Sequence, residues 1–215
     1  MTKQLRIDFV SDVSCPWCII GLKALEQAIA NIGSEVEVAI HCQPFELNPT
    51  MAPEGQDITE HIIQKYGITK AQSQGNREAI RARGAELGFT FGMAPNSRIY
   101  NTFDAHRLLH WAEETNHQLA LKHALFDAYF TQGRDPSSHA VLVEAAIKVG
   151  LDGEQAAQLL ASDRFTTEVR ESEQFYLRQG INSVPAVIIN GRHLISGGQP
   201  VDVFEQALRQ IAAAE

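Results

Sequence analysis

The sequence predicts an α/β protein whose sheet-forming ends are separated by an inserted all-helical block, and three observations lead there. At the N-terminus Leu5, Ile7 and Phe9 alternate with Arg6 and Asp8, the two-residue period of a half-buried strand. From Ile19 onward Leu22, Leu25, Ala28, Ile29 and Ile32 recur at three- and four-residue steps, which is helical. Strand character returns only near the C-terminus, at Val184-Pro185-Ala186-Val187-Ile188-Ile189, after a long run of helical pattern.

Between the first strand and the first helix lies Val13-Ser14-Cys15-Pro16-Trp17-Cys18. Pro16 suits the first helical position, where the amide it lacks would be unpaired in any residue. Cys15 is therefore the expected cap, facing unpaired backbone N–H groups and the positive end of the helix dipole, both of which favour a thiolate. Cys18, three residues on, shares that helix face and can close a disulfide after a small adjustment. This assigns Cys15 as the attacking thiol and Cys18 as the resolving one. Asp12 is placed either to tune Cys15 or to sit in a solvated turn.

Other uses of a Cys-x-x-Cys pair fare worse here. A structural zinc site needs two further ligands, and the other cysteine, Cys42, follows His41 on a strand where neighbours point to opposite faces. A permanent disulfide across so short a ring removes little chain entropy, and the chain has no wider cysteine framework.

Gly33 and Ser34 break the first helix, and residues 35–45 alternate again as a strand with Val36, Val38, Ile40 and Cys42 on one face. Cys42 then reads as a small buried hydrophobe. A polar, proline-punctuated segment, Pro44 to Pro53, leads into the helical block. Helix starts are expected at Asp57 with Glu60, Thr69 with Gln72, Asn101 with Asp104, Pro136 after Asp135, and Asp152 with Gln155. Stops are expected at Gly67, Gly88, Gly133 and Gly150. A last helix of this part spans 163–179, with Phe165, Val169, Tyr176 and Leu177 toward one face. Asn190-Gly191 then marks a two-residue hairpin between the strand from Val184 and a partner at His193-Leu194-Ile195. Gly197-Gly198-Gln199-Pro200 opens a final helix with Val203, Phe204, Ala207, Leu208 and Ile211 as its buried stripe. Its amides could meet a substrate carboxylate, or the glycines could form only a tight turn.

The bulk properties limit the partners. With 215 residues, 44% hydrophobic and 20% charged, the chain is composed as a soluble globular protein. A net charge of -8 and the lack of any basic run argue against nucleic acid and anionic membrane partners. Asp8 interrupts the N-terminus before an apolar stretch suited to a signal peptide can begin, so the expected compartment is the cytoplasm. Thiols there stay mostly reduced, which favours catalytic over structural cysteines.

Taken together, several motifs resemble a known family. Asp12-Val13-Ser14-Cys15-Pro16-Trp17-Cys18, Pro44-Phe45-Glu46-Leu47-Asn48-Pro49, Asn101-Thr102 with Ala105-His106-Arg107-Leu108, and Ser183-Val184-Pro185 occur in order over nearly the whole chain. In that order they resemble the DsbA-like branch of the thioredoxin fold, and within it the FrnE-like dithiol-disulfide oxidoreductases or isomerases. The resemblance implies a thioredoxin-like domain in two halves, residues 1–48 (βαβ) and 165–215 (αββα), around an inserted helical domain at 49–164. It implies a cis peptide bond at Val184-Pro185 beside the cysteines, and a substrate-facing surface of Pro16, Trp17, Val184 and Pro185. It also turns the helix face bearing Asn101, Thr102 and His106 toward Cys15, as further substrate contacts; a helix cap and an interface histidine are the plainer roles for these residues. No bound metal or organic cofactor is expected, because the cysteine pair holds both electrons. The implied partners are disulfide- or dithiol-containing proteins or small molecules, with glutathione as a co-substrate or a thioredoxin-type redox partner. Two other functions share the architecture. Kappa-class glutathione transferases and 2-hydroxychromene-2-carboxylate isomerases carry serine where Cys15 stands, and a peptide-binding or chaperone-like module would need no redox chemistry.

Overall fold

A computed structural model of the protein describes residues 3–92, 94 and 97–214. The first strand, β1 (Lys3–Ser11), leads into helix α1 (Pro16–Ile32), a short 3₁₀ turn at Gly33–Glu35 and strand β2 (Val36–Pro44). β1 and β2 pair in parallel, with Ile7 opposite Ile40 and Phe9 opposite Cys42, so α1 is the crossover of a βαβ unit. The chain closes with helix α8 (Thr166–Arg178), strands β5 (Ala186–Ile189) and β6 (His193–Ser196), and helix α9 (Val201–Ala214). β5 runs antiparallel to β1 and β6 antiparallel to β5, giving the sheet order β2-β1-β5-β6. The turn between β5 and β6 has positive φ at Asn190 (50°) and Gly191 (65°), as a primed hairpin turn requires.

The period-2 pattern sorts side chains between the two faces of this sheet. Leu5, Ile7, Phe9, Val187 and Ile189 pack with Ile19, Leu22 and Leu25 of α1 and Phe204 and Leu208 of α9. On the other face Val10 and Ala186 meet Phe45, Tyr176 and Ile181. Stripping any one of these large side chains to alanine removes about 2 to 5 kcal/mol.

Between β2 and α8 the chain is mainly helical. In order come α2 (Ile58–Tyr66), α3 (Lys70–Glu86), α4 (Phe103–Glu113), α5 (Gln118–Phe126), a π turn at Asp127–Thr131, α6 (His139–Lys148) and α7 (Gly153–Leu160). A second core joins Leu108, Trp111, Leu121, Leu125, Leu142 and Leu159, and Val13 from the cysteine loop belongs to it. The protein is thus an α/β thioredoxin fold with a helical insertion.

Local expectations met the structure unevenly. Asp57 and Asp152 cap their helices with two backbone amides each, and Thr69 with Gln72 forms a full capping box. At α4 the cap position is Thr102, while Asn101 supplies the oxygen that receives the Phe103 N–H at 2.9 Å. The start expected at Pro136 is displaced: Asp135 accepts from Ser137 in a tight turn, and α6 begins at His139. A two-stranded ribbon, β3 (Gln56–Asp57) with β4 (Arg98–Ile99), interrupts the helical block, and strands that short leave no periodic trace. Val203, expected in a buried stripe, is exposed, as is Leu177, and Glu173 of α8 is buried.

Candidate active site

Cys15 occupies the N-cap of α1 in an extended conformation (φ -93°, ψ 115°), with Pro16 opening the helix. Its sulfur makes no capping bond to the helix, and faces the carbonyl oxygen of Val184 at 3.7 Å. The Val184-Pro185 peptide is cis, as the resemblance implied. Cys15 is 4% exposed and Cys18 is fully enclosed, and both are free thiols. Burial, together with the hydrogen bond and charge of Cys15, pushes the Cys18 thiol well above its ordinary range, while Lys122 pulls the other way. A nearly buried sulfur at Cys15 thus stands in front of a fully enclosed one at Cys18 that is held as a thiol.

Asp12 fixes the loop that presents this pair. Its backbone carbonyl accepts from the Cys15 N–H (3.2 Å), its Oδ1 from the Ser14 N–H (3.1 Å) and its Oδ2 from the Leu47 N–H (2.7 Å). The side chain is buried, which excludes the solvated-turn role. Burial pushes the carboxyl up, but His106 and the Leu47 and Ser14 amides outweigh that and hold it below its usual range. His106 Nε2 lies 3.8 Å from Asp12 Oδ1, so their interaction is electrostatic, and 3.1 Å from the Phe45 carbonyl oxygen, a hydrogen bond.

Asn101, half-buried, and Thr102 and His106, both buried, lie at this same junction. Asn101 Nδ2 donates to Glu46 Oε1 at 3.0 Å and to the Pro49 carbonyl at 3.3 Å. Thr102 and His106 are buried, and His106 reaches the cysteine loop only through Asp12. Direct substrate contact by these two is therefore corrected to support of the loops, because their polar atoms are enclosed by protein. Glu46 is in turn ion-paired to Arg170, whose guanidinium lies 3.6 Å from the centre of the Phe103 ring and 2.8 Å from Glu173. Burial, then repulsion from Glu46, raises the Glu173 carboxyl.

Around the Cys15 sulfur the exposed groups are Trp17, 43% accessible, and Tyr66, 57% accessible. Lys65 and Tyr66 at the end of α2 both feel charge at Cys15. Lys65 Nζ donates to the Leu47 carbonyl and to Asn48 Oδ1, each at 2.8 Å. On the other flank, Gly21 and Gly198 allow α1, Pro185 and the turn before α9 to touch. A Cβ at Gly21 would lie 3.1 Å from Pro185 Cγ, and one at Gly198 would lie 2.9 Å from the Trp17 carbonyl oxygen. The Gly197 amide is committed to the Pro185 carbonyl at 2.8 Å, so it is not offered to a substrate carboxylate.

Lys65, Tyr66, Lys122, Gln118 and Arg170 were not singled out from sequence. Each comes from the helical block or α8 and meets the cysteines or their supporting loops only through the tertiary fold. The charged or amide side chains among them gave one available signal, since Lys122 and Gln118 are buried on a largely apolar helix.

Residues 6–209 match the DSBA-like thioredoxin domain family. The chain belongs to that family. Among DSBA-like structures, a probable DsbA oxidoreductase from Streptomyces coelicolor superposes with a TM-score of 0.90 at 32% identity, over 98% of this chain and 91% of that one. A cytosolic disulfide reductase, DsbM of Pseudomonas aeruginosa with GSH, gives 0.63 at 17% identity, covering 96% and 98%, a likeness of fold. A 2-hydroxychromene-2-carboxylate isomerase gives 0.72 at 15%, covering 96% and 95%, again a likeness of fold. In sequence, the uncharacterized protein YwbO of Bacillus subtilis (strain 168) is 29% identical over 209 residues, 97% of this chain and 96% of its own length.

Proposed function

We propose that the protein is a dithiol-disulfide oxidoreductase or isomerase in which Cys15 attacks and Cys18 resolves. The observation that carries this reading is the asymmetry of the two sulfurs: Cys15 caps a helix N-terminus beside the Val184 carbonyl, while Cys18 is enclosed and kept as a thiol. In the forward step a Cys15 thiolate forms a bond to one sulfur of a substrate disulfide and expels the other as a thiolate. Cys18 then attacks the Cys15 sulfur, releasing the second substrate thiol and closing the Cys15–Cys18 disulfide. Running the steps backward oxidises a substrate dithiol.

Pro16, Trp17, Val184 and Pro185 form the substrate side in this reading, with Val184 presenting backbone to an extended segment. Asn101 acts as a positioning residue through Glu46 and His106 through Asp12, and Thr102 receives the His106 N–H on its backbone carbonyl. The Lys65 ammonium gives the rim a positive charge that suits an anionic thiol such as glutathione, and glutathione or a thioredoxin-type protein would exchange electrons with the pair in the cytoplasm.

The test is a trap. With oxidised glutathione, a Cys18→Ser protein accumulates one glutathionyl group on Cys15, detected by mass, and a Cys15→Ser protein accumulates none at Cys18. Glutathione conjugation or isomerase activity that survives Cys15→Ala would instead favour the transferase-type chemistry.

A further inference from the structure

Lys122 is 0% exposed, and among the described residues its ammonium makes no ion pair. Its Nζ reaches the Ser11 carbonyl oxygen at 3.5 Å, the outer limit of a hydrogen bond, and lies 5.2 Å from the centre of the Phe126 ring. A buried cation with so little compensation is costly. The fold also spends a specific device to aim it. One turn earlier on α5, Gln118 receives the Cys42 N–H at 2.7 Å and donates to the Cys42 carbonyl at 3.0 Å, pinning the helix to the edge of β2 as another strand would. That contact sends Lys122 under the end of β1, behind the cysteine loop.

Two thiols feel this ammonium, Cys18 and Cys42, and on each it opposes the burial that keeps the thiol protonated. Cys42 also faces the charges of Glu113 and Glu26, which disfavour its ionisation. Cys18 faces Cys15, Lys122 and the Asp12 backbone. A small cavity of about 10 Å³ joins Lys122 to His106, His110 and Cys42, so those imidazoles are the other titratable groups on its flank.

The sequence of bond changes decides which step Lys122 serves. While Cys15 is a thiolate, its charge opposes a second one at Cys18. Once Cys15 is held in a mixed disulfide that charge is gone, and burial is the remaining obstacle.

We propose that Lys122 is a positioning residue for the resolving step, its ammonium steadying the Cys18 thiolate that attacks the Cys15 mixed disulfide. This rests on the reading of Cys15 and Cys18 as a redox pair. In the step, Cys18 gives its proton to solvent and its electron pair forms the Cys18–Cys15 bond. The bond from Cys15 to the substrate sulfur breaks, and the substrate leaves as a thiolate that takes a proton from solvent. One disulfide is exchanged for another, so no outside oxidant or reductant enters.

The experiment uses Cys18 as the sole thiol, in a Cys15→Ser, Cys42→Ala protein, and follows its alkylation by iodoacetamide against pH. Lys122→Gln keeps a donor for the Ser11 carbonyl and removes the charge. The expected result is a profile displaced to higher pH and a rate at fixed pH lower by about tenfold or more, tenfold being one pKa unit. Lys122→Arg, which keeps the charge, is expected to restore most of the rate. In the Cys18→Ser protein, Lys122→Gln leaves the first attack by Cys15 within about twofold, as expected if the charge acts on Cys18. A folded Lys122→Gln protein with the unchanged Cys18 profile overturns the proposal. If that variant does not fold, Lys122→Met is read in its place. If neither folds, 15N-labelled lysine in the wild-type chain decides: a Lys122 side-chain resonance that responds to closure of the Cys15–Cys18 disulfide supports the proposal, and one that does not respond overturns it. Alkylation needs no turnover, so this result stands apart from whether the pair cycles.

Discussion

The sulfur of Cys15 lies 3.7 Å from the carbonyl oxygen of Val184, a residue from the opposite end of the chain. The contact joins the two sheet-forming ends at the point where chemistry is proposed. It depends on α1 lying close to the turn before α9, and two glycines set that distance.

Gly21→Ala tests the approach. The new methyl would stand 3.1 Å from Pro185 Cγ and 3.2 Å from Gly198 Cα, tighter than packed atoms tolerate without movement. Overpacking of this kind costs about 1 to 3 kcal/mol. Denaturant unfolding is expected to show that loss, and disulfide exchange is expected to slow because Val184 moves with Pro185. Unchanged stability and exchange would show that the two segments have room to separate.

Asp12→Asn tests the anchor of the cysteine loop. The wild-type carboxyl titrates below its ordinary 3.8 in the folded protein, so the unfolded chain binds protons more readily and stability falls as pH drops from about 4 through the lower folded value. The variant is expected to be about 1 to 3 kcal/mol less stable at pH 7, the range for losing a partner of buried donors. That difference narrows below pH 3.8 as the wild type loses its own advantage. A difference independent of pH would mean that the ionised carboxylate does not hold the loop.

Much of this architecture was legible in sequence, for physical reasons that also mark where legibility stops. Leu5, Ile7 and Phe9 announce β1 because each alternate residue enters the same core, and Pro16 announces the start of α1 because it cannot sit later in a helix. Asn190-Gly191 announces the hairpin by its tolerance of positive φ. The cysteine pair is read from spacing alone. Its surroundings are not. Lys122, Gln118 and Arg170 approach from helices whose apolar pattern specifies a buried face but not which neighbour it is buried against. On α8 the apolar pattern likewise does not reveal that Leu177 stays exposed while Glu173, paired with Arg170, is buried.

Gln118→Ala tests one such hidden contact. Removing the amide leaves the Cys42 N–H and carbonyl without their partner at the edge of β2. A loss of about 1 to 3 kcal/mol is expected, with faster hydrogen exchange at the Cys42 amide. Protection that survives the substitution would mean the edge is covered by other means.

Cys42 itself is expected to be a spectator with an alkaline signature. Burial pushes its thiol up to about 11 from 9.0, so the folded protein holds that proton more tightly than the unfolded chain. Its stabilising contribution is present below pH 9.0 and is lost as pH rises through about 11. Compared with Cys42→Ala, wild type is expected to lose up to about 3 kcal/mol more across that window. Exchange activity at neutral pH is expected to persist in the variant, and its loss would place Cys42 in the chemistry.

The central claim is that Cys15 and Cys18 form a reversible redox couple, and an equilibrium titration in glutathione buffers tests it most directly. The predicted result is one two-electron transition between dithiol and disulfide, within the roughly -120 to -270 mV span of thioredoxin-fold couples, absent from both Cys15→Ser and Cys18→Ser. A position near the upper end would assign disulfide donation, and one near the lower end reduction or isomerisation. A wild-type protein that forms no Cys15–Cys18 disulfide at any buffer ratio would contradict the account.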